Sequence, residues 1–269
     1  MQKLKTTAQF IKEFNLINDK TLGQNFIINE SLTDKIVSKI QLFNKIVIEI
    51  GPGPACLTRS ILKQKPKKLI LVEMDERFSP VYKELSEFYG IDIDIINKDC
   101  LDVDYKVFGE EISIVSNLPY NISTQIYTKL ITQYQNVKEM VLMFQKEVAD
   151  RIITNSGDKN FARLAVLTNL VGSAKKLFLV KPSAFLPPPK VMSMVIKYEV
   201  GDNDFSNINL QEFQEFTKAL FSQKRKVVTN ALKSININLN DIDTLILNKR
   251  PHQLSMTEIK QLYFISKRN

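Results

Sequence analysis

From residue 45 onward the chain alternates short, largely apolar runs with longer stretches whose apolar residues recur every three or four positions. The runs are "KIVIEI" (45–50), "KLILVEM" (68–74), "IDIDII" (91–96), "ISIV" (112–115) and "EMVLMF" (139–144). Rich in β-branched residues, they read as strands. Between them, "CLTRSILKQ" (56–64) has helical spacing at Leu57, Ile61 and Leu62, and "DERFSPVYKELSEFYG" (75–90) is helical with a terminal glycine. Pro80 should kink that helix or lie in its first turn. A further helix is expected over 123–134. Apolar strands without alternation predict a parallel sheet covered by helices on both faces, an α/β fold of Rossmann-like type.

Beyond 173 the pattern changes. "AKKLFLVKPSAFLPPPKVMSMVIKYEV" (174–200) reads as two strands around a rigid proline loop, an antiparallel hairpin closing the sheet's edge. "GDNDFSNIN" (201–209) is a polar linker, and "LQEFQEFTKALFSQKRKVVTNALKS" (210–234) is helical, with Phe213, Phe216, Leu220 and Phe221 as its buried stripe. The expected division is an α/β domain over 1–202 and a small all-helical domain over 203–269.

Composition narrows the chemistry. With 269 residues, 44% of them hydrophobic, the chain can bury a real core. Cys56 and Cys100 are too few for a disulfide framework or a zinc site and are expected to be reduced thiols. The single histidine, His252, leaves almost no material for Ser-His-Asp or Cys-His hydrolases or for a multi-histidine metal site, so no metal is expected. The N-terminus lacks a signal-like apolar core, and no apolar run approaches the ~18–20 residues of a membrane span, which predicts a cytoplasmic protein with no membrane partner. A net charge of +8 suggests a polyanionic partner. Two runs without acids, "RSILKQKPKK" (59–68) and "KALFSQKRK" (218–226), are the candidate contacts.

"VIEIGPG" (47–53) places Gly51 and Gly53 at the carboxyl end of the first strand, before a helix, where open α/β sheets bind ligands. Glu73 ends the second strand 22 residues after Gly51, the place of a ribose-binding acid. Asp99, after the third strand, could accept from an adenine amino group. Two adenine cofactors share this geometry. NAD would call for a third glycine where Cys56 stands; S-adenosylmethionine, lacking a pyrophosphate, does not.

The fourth strand decides between them. It ends in Asn117-Leu118-Pro119-Tyr120, which contains no acid, base or nucleophile of the usual kind. An exocyclic amine such as adenine N6 is a poor nucleophile because its lone pair is delocalised into the ring. Acceptors aimed at its two N–H bonds favour a pyramidal nitrogen, and the Asn117 amide oxygen and Leu118 carbonyl can supply them. Pro119 fixes the carbonyl's direction, and Tyr120 offers a ring on which a base can stack, a contact worth about 1–3 kcal/mol.

With "LGQNFI" (22–27), "VEMDERF" (72–78), "NLPYNIST" (117–124), "MFQKEVADRI" (143–152), "FLPPPKV" (185–191), "FSQKRK" (221–226) and "RPHQLS" (250–255), the chain resembles the bacterial small-subunit ribosomal RNA adenine-N6 dimethyltransferases over nearly its whole length. The resemblance implies S-adenosylmethionine as cofactor, held by Asn25, Ile27, Gly51, Gly53, Glu73, Asp99 and Asn117. It implies a target-base pocket of Asn117, Leu118 and Tyr120 with Phe185 as the opposite stacking face. The implied substrate is 16S rRNA within the 30S subunit, dimethylated at two adjacent adenosines near its 3′ end late in subunit biogenesis. In the absence of heptads, a monomer is expected. Two positions depart from the family pattern: Pro54 in the glycine loop, and Met192 after "PPPKV", where an Asp is common. The competing readings are a large-subunit rRNA adenine-N6 methyltransferase and a non-catalytic ribosome-assembly or transcription factor on the same fold; "NLPY" and "FSQKRK" favour the small-subunit enzyme.

Overall fold

A computed structural model describes residues 4–16, 24–109, 111–201, 207–223 and 225–268. The strands, in chain order, are β1 (Phe26–Ile27), β2 (Ile46–Ile50), β3 (Lys68–Val72), β4 (Ile93–Ile96), β5 (Ile112–Asn117), β6 (Val137–Gln145), β7 (Gly172–Val180), β8 (Phe185–Leu186) and β9 (Ser193–Val200). The helices of the first two-thirds of the chain are α1 (Thr7–Glu13), α2 (Glu30–Val37), α3 (Cys56–Lys63), α4 (Ser79–Tyr89), α5 (Ser123–Thr132), α6 (Lys146–Ile152) and α7 (Arg163–Val171). Four helices follow: α8 (Leu210–Leu220), α9 (Val228–Ser234), α10 (Thr244–Leu247) and α11 (Met256–Ser266).

Seven strands form one sheet in the order β4-β3-β2-β5-β6-β9-β7. The pairs among β4, β3, β2, β5 and β6 are parallel, and β9 runs antiparallel to β6. This is the expected Rossmann-like α/β sheet, with the late strands adding its antiparallel edge. The apolar runs are buried because their side chains meet helices on either side: Val47, Ile48, Leu69, Leu71, Ile114 and Val115 have no more than trace exposure. Pro80 sits in the first turn of α4, where its missing N–H costs no helical bond, and Gly90 closes that helix in the left-handed conformation.

A second, two-stranded ladder was not anticipated. β1 pairs antiparallel with β8, Phe26 opposite Leu186 and Ile27 opposite Phe185. It ties the "QNFI" segment to the start of the proline loop.

The chain divides into two compact units, Met1–Ala149 with Lys175–Val200, and Asp150–Ala174 with Gly201–Asn269. The expected boundary at 202/203 falls in 202–206, outside the described residues. The second unit also takes in 150–174, which the sequence reading left in the first. The reason lies in α7, where Leu164, Ala165, Val166, Leu167, Thr168, Leu170 and Val171 are all buried. A helix apolar on every side needs neighbours all round it, and α7 packs with α8 and α11 as the centre of the helical unit.

Within that unit the stripe of Phe213, Phe216, Leu220 and Phe221 is buried as expected, with Tyr263 of α11 meeting Phe213 edge-on at 5.3 Å. The expected continuous helix over 210–234 is broken. α8 ends at Leu220, and Ser222–Val227 connect it to α9. Three consecutive basic residues followed by two valines in the sequence oppose helix continuation through like-charge repulsion and β-branching.

Candidate functional site

At the carboxyl ends of β2, β3 and β5 lies a cavity of about 240 Å³. It is walled by residues 24–27, the loop from Gly51 to Leu57, Val72–Met74, Lys98–Cys100 and Asn117–Ile122. Asn25, Ile27, Gly51, Gly53, Glu73, Asp99, Asn117, Leu118 and Tyr120 all line it. Residues spread over nearly a hundred positions of sequence thus converge where an open parallel sheet receives ligands.

The loop after β2 alternates left-handed residues with prolines: Gly51 at φ 63°, Gly53 at φ 53° and Ala55 at φ 67°, separated by Pro52 and Pro54. Gly53 is required for two reasons. Its φ suits glycine, and a Cβ there would come within 3.3 Å of the Phe26 ring. Pro54 is accommodated without loss, since the turn is closed by the N–H of Ala55 donating to Pro52 O at 3.0 Å and asks nothing of position 54. Tyr82 beneath donates its hydroxyl to Gly53 O at 2.9 Å.

Three acids line the cavity against one cation, Lys98, among its described residues. Glu73 is 7% exposed and accepts from the N–H of Gly53 at 3.2 Å and of Asp75 at 3.0 Å. Burial pushes its carboxyl up to about 7 despite those bonds. Asp99 accepts from the N–H of Leu101 at 2.8 Å, and the neighbouring Cys100 thiol also bonds to its carboxylate. Glu49, which the sequence reading passed over, is 1% exposed, accepts from the Thr58 hydroxyl at 2.7 Å, and is driven up to about 8 by burial with Glu73 adding to the rise. Its signal was present: a lone acid inside the apolar strand "VIEI". Two buried carboxyls held near neutrality fit a ligand that brings positive charge.

The pair also makes the empty protein sensitive to pH. A carboxyl whose folded value lies above its ordinary one stabilises the fold below the ordinary value, and that contribution is lost as pH rises through the folded one. Glu49 and Glu73 therefore oppose folding progressively between about pH 4.5 and 8. Glu49→Gln should flatten the decline: from pH 5 to 8.5 wild type is expected to lose a few degrees of Tm relative to the variant by scanning calorimetry. Parallel Tm curves would mean that Glu49 is not the titrating group.

Asn117 is the last residue of β5. Its Nδ2 donates to Asn25 O at 3.2 Å, which turns Oδ1 the other way. That oxygen is buried and has no partner among the described residues. Unpartnered buried acceptors are rare, and this one belongs to a residue that lines the cavity. Leu118 is 1% exposed, which anchors the backbone that follows. The Tyr120 hydroxyl shares a hydrogen bond of 2.6 Å with Ser193 Oγ.

Phe185 departs from its expected position. It is 3% exposed, does not line the cavity, and meets Tyr120 edge-on at 6.4 Å with the rings 69° apart. Its pairing with Ile27 in the β1–β8 ladder holds it there, so it buttresses Tyr120 instead of facing it across an open slot.

The basic run 59–68 is not one charged face. Arg59 is buried, donating to Lys5 O and lying 4.9 Å from the Phe10 ring centre. Lys63 pairs with Asp34 at 3.0 Å and Lys68 with Asp94 at 2.6 Å. Lys65 and Lys67 are the exposed pair that remains. In the other run, Arg225 and Lys226 are exposed between α8 and α9, and Lys224 lies outside the described residues.

A sequence model of the ribosomal RNA adenine dimethylase family matches residues 15–261. The chain is 38% identical to ribosomal RNA small subunit methyltransferase A of Pelagibacter ubique over 242 residues, covering 87% of this chain and 91% of that one. Its counterpart in Zymomonas mobilis is 37% identical over 264 residues, with 96% and 94% covered. Among solved structures, a dimethyladenosine transferase from Plasmodium falciparum superposes with a TM-score of 0.74 at 27% identity, covering 87% of this chain and 94% of that one.

Proposed function

The chain belongs to the ribosomal RNA adenine dimethylase family, and from that premise we propose that it dimethylates N6 of two adjacent adenosines near the 3′ end of 16S rRNA, on the 30S subunit. The observation that carries the reading is the buried Oδ1 of Asn117, unpartnered among the described residues, on a residue that lines a cavity with three acids.

The cofactor is S-adenosylmethionine, which when bound supplies an electrophilic methyl group on a positively charged sulfur. The residues present fit it. Glu73 would accept from its ribose hydroxyls and Asp99 from its adenine amine, with the loop at Gly51 and Gly53 giving close backbone approach. Asn25 and Ile27 complete the wall. Lining carboxyls favour a cationic ligand over a neutral or anionic one.

On the target side, Asn117 Oδ1 and the Leu118 carbonyl accept from the N6 amine and draw its lone pair out of the ring. These interactions strengthen as the nitrogen becomes pyramidal, so they favour the transition state over the bound base. Tyr120 presents a ring for the base. Burial pushes its phenol up to about 12, so it stays neutral at working pH. The first proton leaves from an alkylated nitrogen that is already acidic, so the site has no need of a strong base.

The helical unit assists rRNA binding. Its Arg225 and Lys226 are exposed cations, and neutralising phosphates with them releases counterions. Replacing both with Gln should weaken binding to 30S subunits and reduce the slope of log affinity against log salt by roughly 1–2, with cofactor affinity unchanged. An unaltered slope in a filter-binding titration would make the turn a solvated surface only. The protein works as a cytoplasmic monomer on this reading, and among the described residues no helix is long and apolar enough to cross a membrane.

The deciding experiment is transfer of labelled methyl from S-adenosylmethionine to purified under-methylated 30S subunits, with 50S subunits and naked RNA alongside. Label on 30S at the two adenosines is expected. Label on 50S would move the enzyme to the large subunit, and no label on any of the three would leave a binding factor.

A further inference from the structure

We propose that Ser193 is a positioning residue for methyl transfer, acting through Tyr120; this rests on the reading of Tyr120 as the stacking ring. Ser193 opens β9, immediately after the proline loop, and has no exposed surface. It lies opposite Gln145 at the end of the β6–β9 ladder, so its backbone is held by the sheet. From there its Oγ meets the Tyr120 hydroxyl at 2.6 Å.

The geometry of a phenol makes this bond informative. The hydroxyl lies on the axis about which the ring turns on its Cβ–Cγ bond. Holding the oxygen therefore fixes where the tip of the ring points, the χ1 choice, and leaves rotation about that axis free. Phe185 restricts the freedom that remains, because its edge-on contact at 6.4 Å discriminates between ring planes. One contact sets the direction of the ring and the other sets its plane. Together they define the surface on which a base would lie, and both come from the segment 185–193, which the sheet and the β1–β8 ladder hold at its two ends.

A base stacked on a displaced ring presents its amine to Asn117 at the wrong distance or angle, and rates fall steeply with such misplacement. Loss of the Ser193 hydroxyl should therefore lower the rate of the chemical step and leave cofactor affinity alone. The resemblance implies a stacking role for Phe185 in this loop, and nothing in the local sequence "VMSM" sets Ser193 apart.

The test is a double-mutant cycle on single-turnover transfer to under-methylated 30S subunits, using Ser193→Ala, Tyr120→Phe and the pair together, with Tyr120→Ala beside them. Each of the two conservative single variants is expected to be about three- to tenfold slower than wild type, at unchanged affinity for S-adenosylmethionine. The double variant is expected to be no slower than the slower single one, because both changes break the same bond. Effects that multiply, or a wild-type rate in Ser193→Ala, would overturn the proposal. Should Ser193→Ala fold poorly, Tyr120→Phe alone still decides, since it breaks the same bond from the other end: a rate three- to tenfold below wild type supports the proposal and a wild-type rate refutes it. A wild-type rate in Tyr120→Ala would instead remove the stacking ring itself, and with it the reading beneath this inference; a slow Tyr120→Ala with multiplying effects would refute the role of Ser193 alone.

Discussion

Replacing Asn117 with Ala is expected to lower single-turnover methyl transfer to 30S subunits by about 10²–10³, with little change in affinity for the subunit. Asn25 O can only accept, so the nitrogen of the Asn117 amide must face it and the oxygen must face away. That oxygen is buried without a donor among the described residues. An arriving N–H would supply the bond that this oxygen lacks there. The gain is largest when the amine has become pyramidal, which is why the rate should suffer more than binding. N6-methyladenine has one N–H left and can use only one of the two acceptors, Asn117 Oδ1 or the Leu118 carbonyl. Loss of Asn117 should therefore also alter the ratio of mono- to dimethylated product, read by mass spectrometry. A wild-type rate in Asn117→Ala would reduce the loop to a turn.

The centre of the sheet was legible because β2, β3 and β5 are largely apolar runs, and burial on both faces leaves few alternatives. The residues that line the cavity were legible for a related reason: most sit at strand ends, and strand ends are what an apolar run defines. What the sequence did not disclose depends on contacts made across the chain. The pairing of Phe26 and Ile27 with Leu186 and Phe185 joins two segments about 160 positions apart, and nothing local predicts it. That pairing explains the altered place of Phe185. The break after α8 was misread because the phenylalanine stripe and the good helix formers before it outweighed the crowded charges after it. Glu49 was missed for a different reason. An acid inside a strand reads as an exception to the pattern, when its burial beside Thr58 makes it part of the site.

Glu73→Ala is expected to weaken S-adenosylmethionine binding by at least tenfold while 30S affinity stays nearly intact. Charge-assisted bonds to ribose hydroxyls contribute about 1.5–3 kcal/mol each. The carboxylate also holds the N–H groups of Gly53 and Asp75, so truncation loosens the glycine loop as well as removing the ribose acceptor. Glu73→Gln separates the two effects. The amide keeps the side chain's size and one acceptor oxygen, but its nitrogen cannot accept from either backbone donor and carries no charge. Proton linkage distinguishes the charge directly. With its carboxyl raised to about 7 by burial, Glu73 is largely protonated below that pH, and a cationic ligand favours the ionised form. Wild-type affinity should then rise with pH from 6 to 8. At pH 6.5, calorimetry in buffers of different ionisation enthalpy should register protons released on binding. Glu49, raised to about 8 in the same cavity, adds to that release and accounts for what persists in Glu73→Gln. The Gln variant should bind more weakly than wild type at pH 8, with the gap narrowing toward pH 6, where wild type is itself mostly neutral at this position. Equal affinities for wild type and both variants at pH 8 would take Glu73 out of the cofactor site. A gap that held constant across the range would keep it there as a hydrogen-bond acceptor whose charge plays no part.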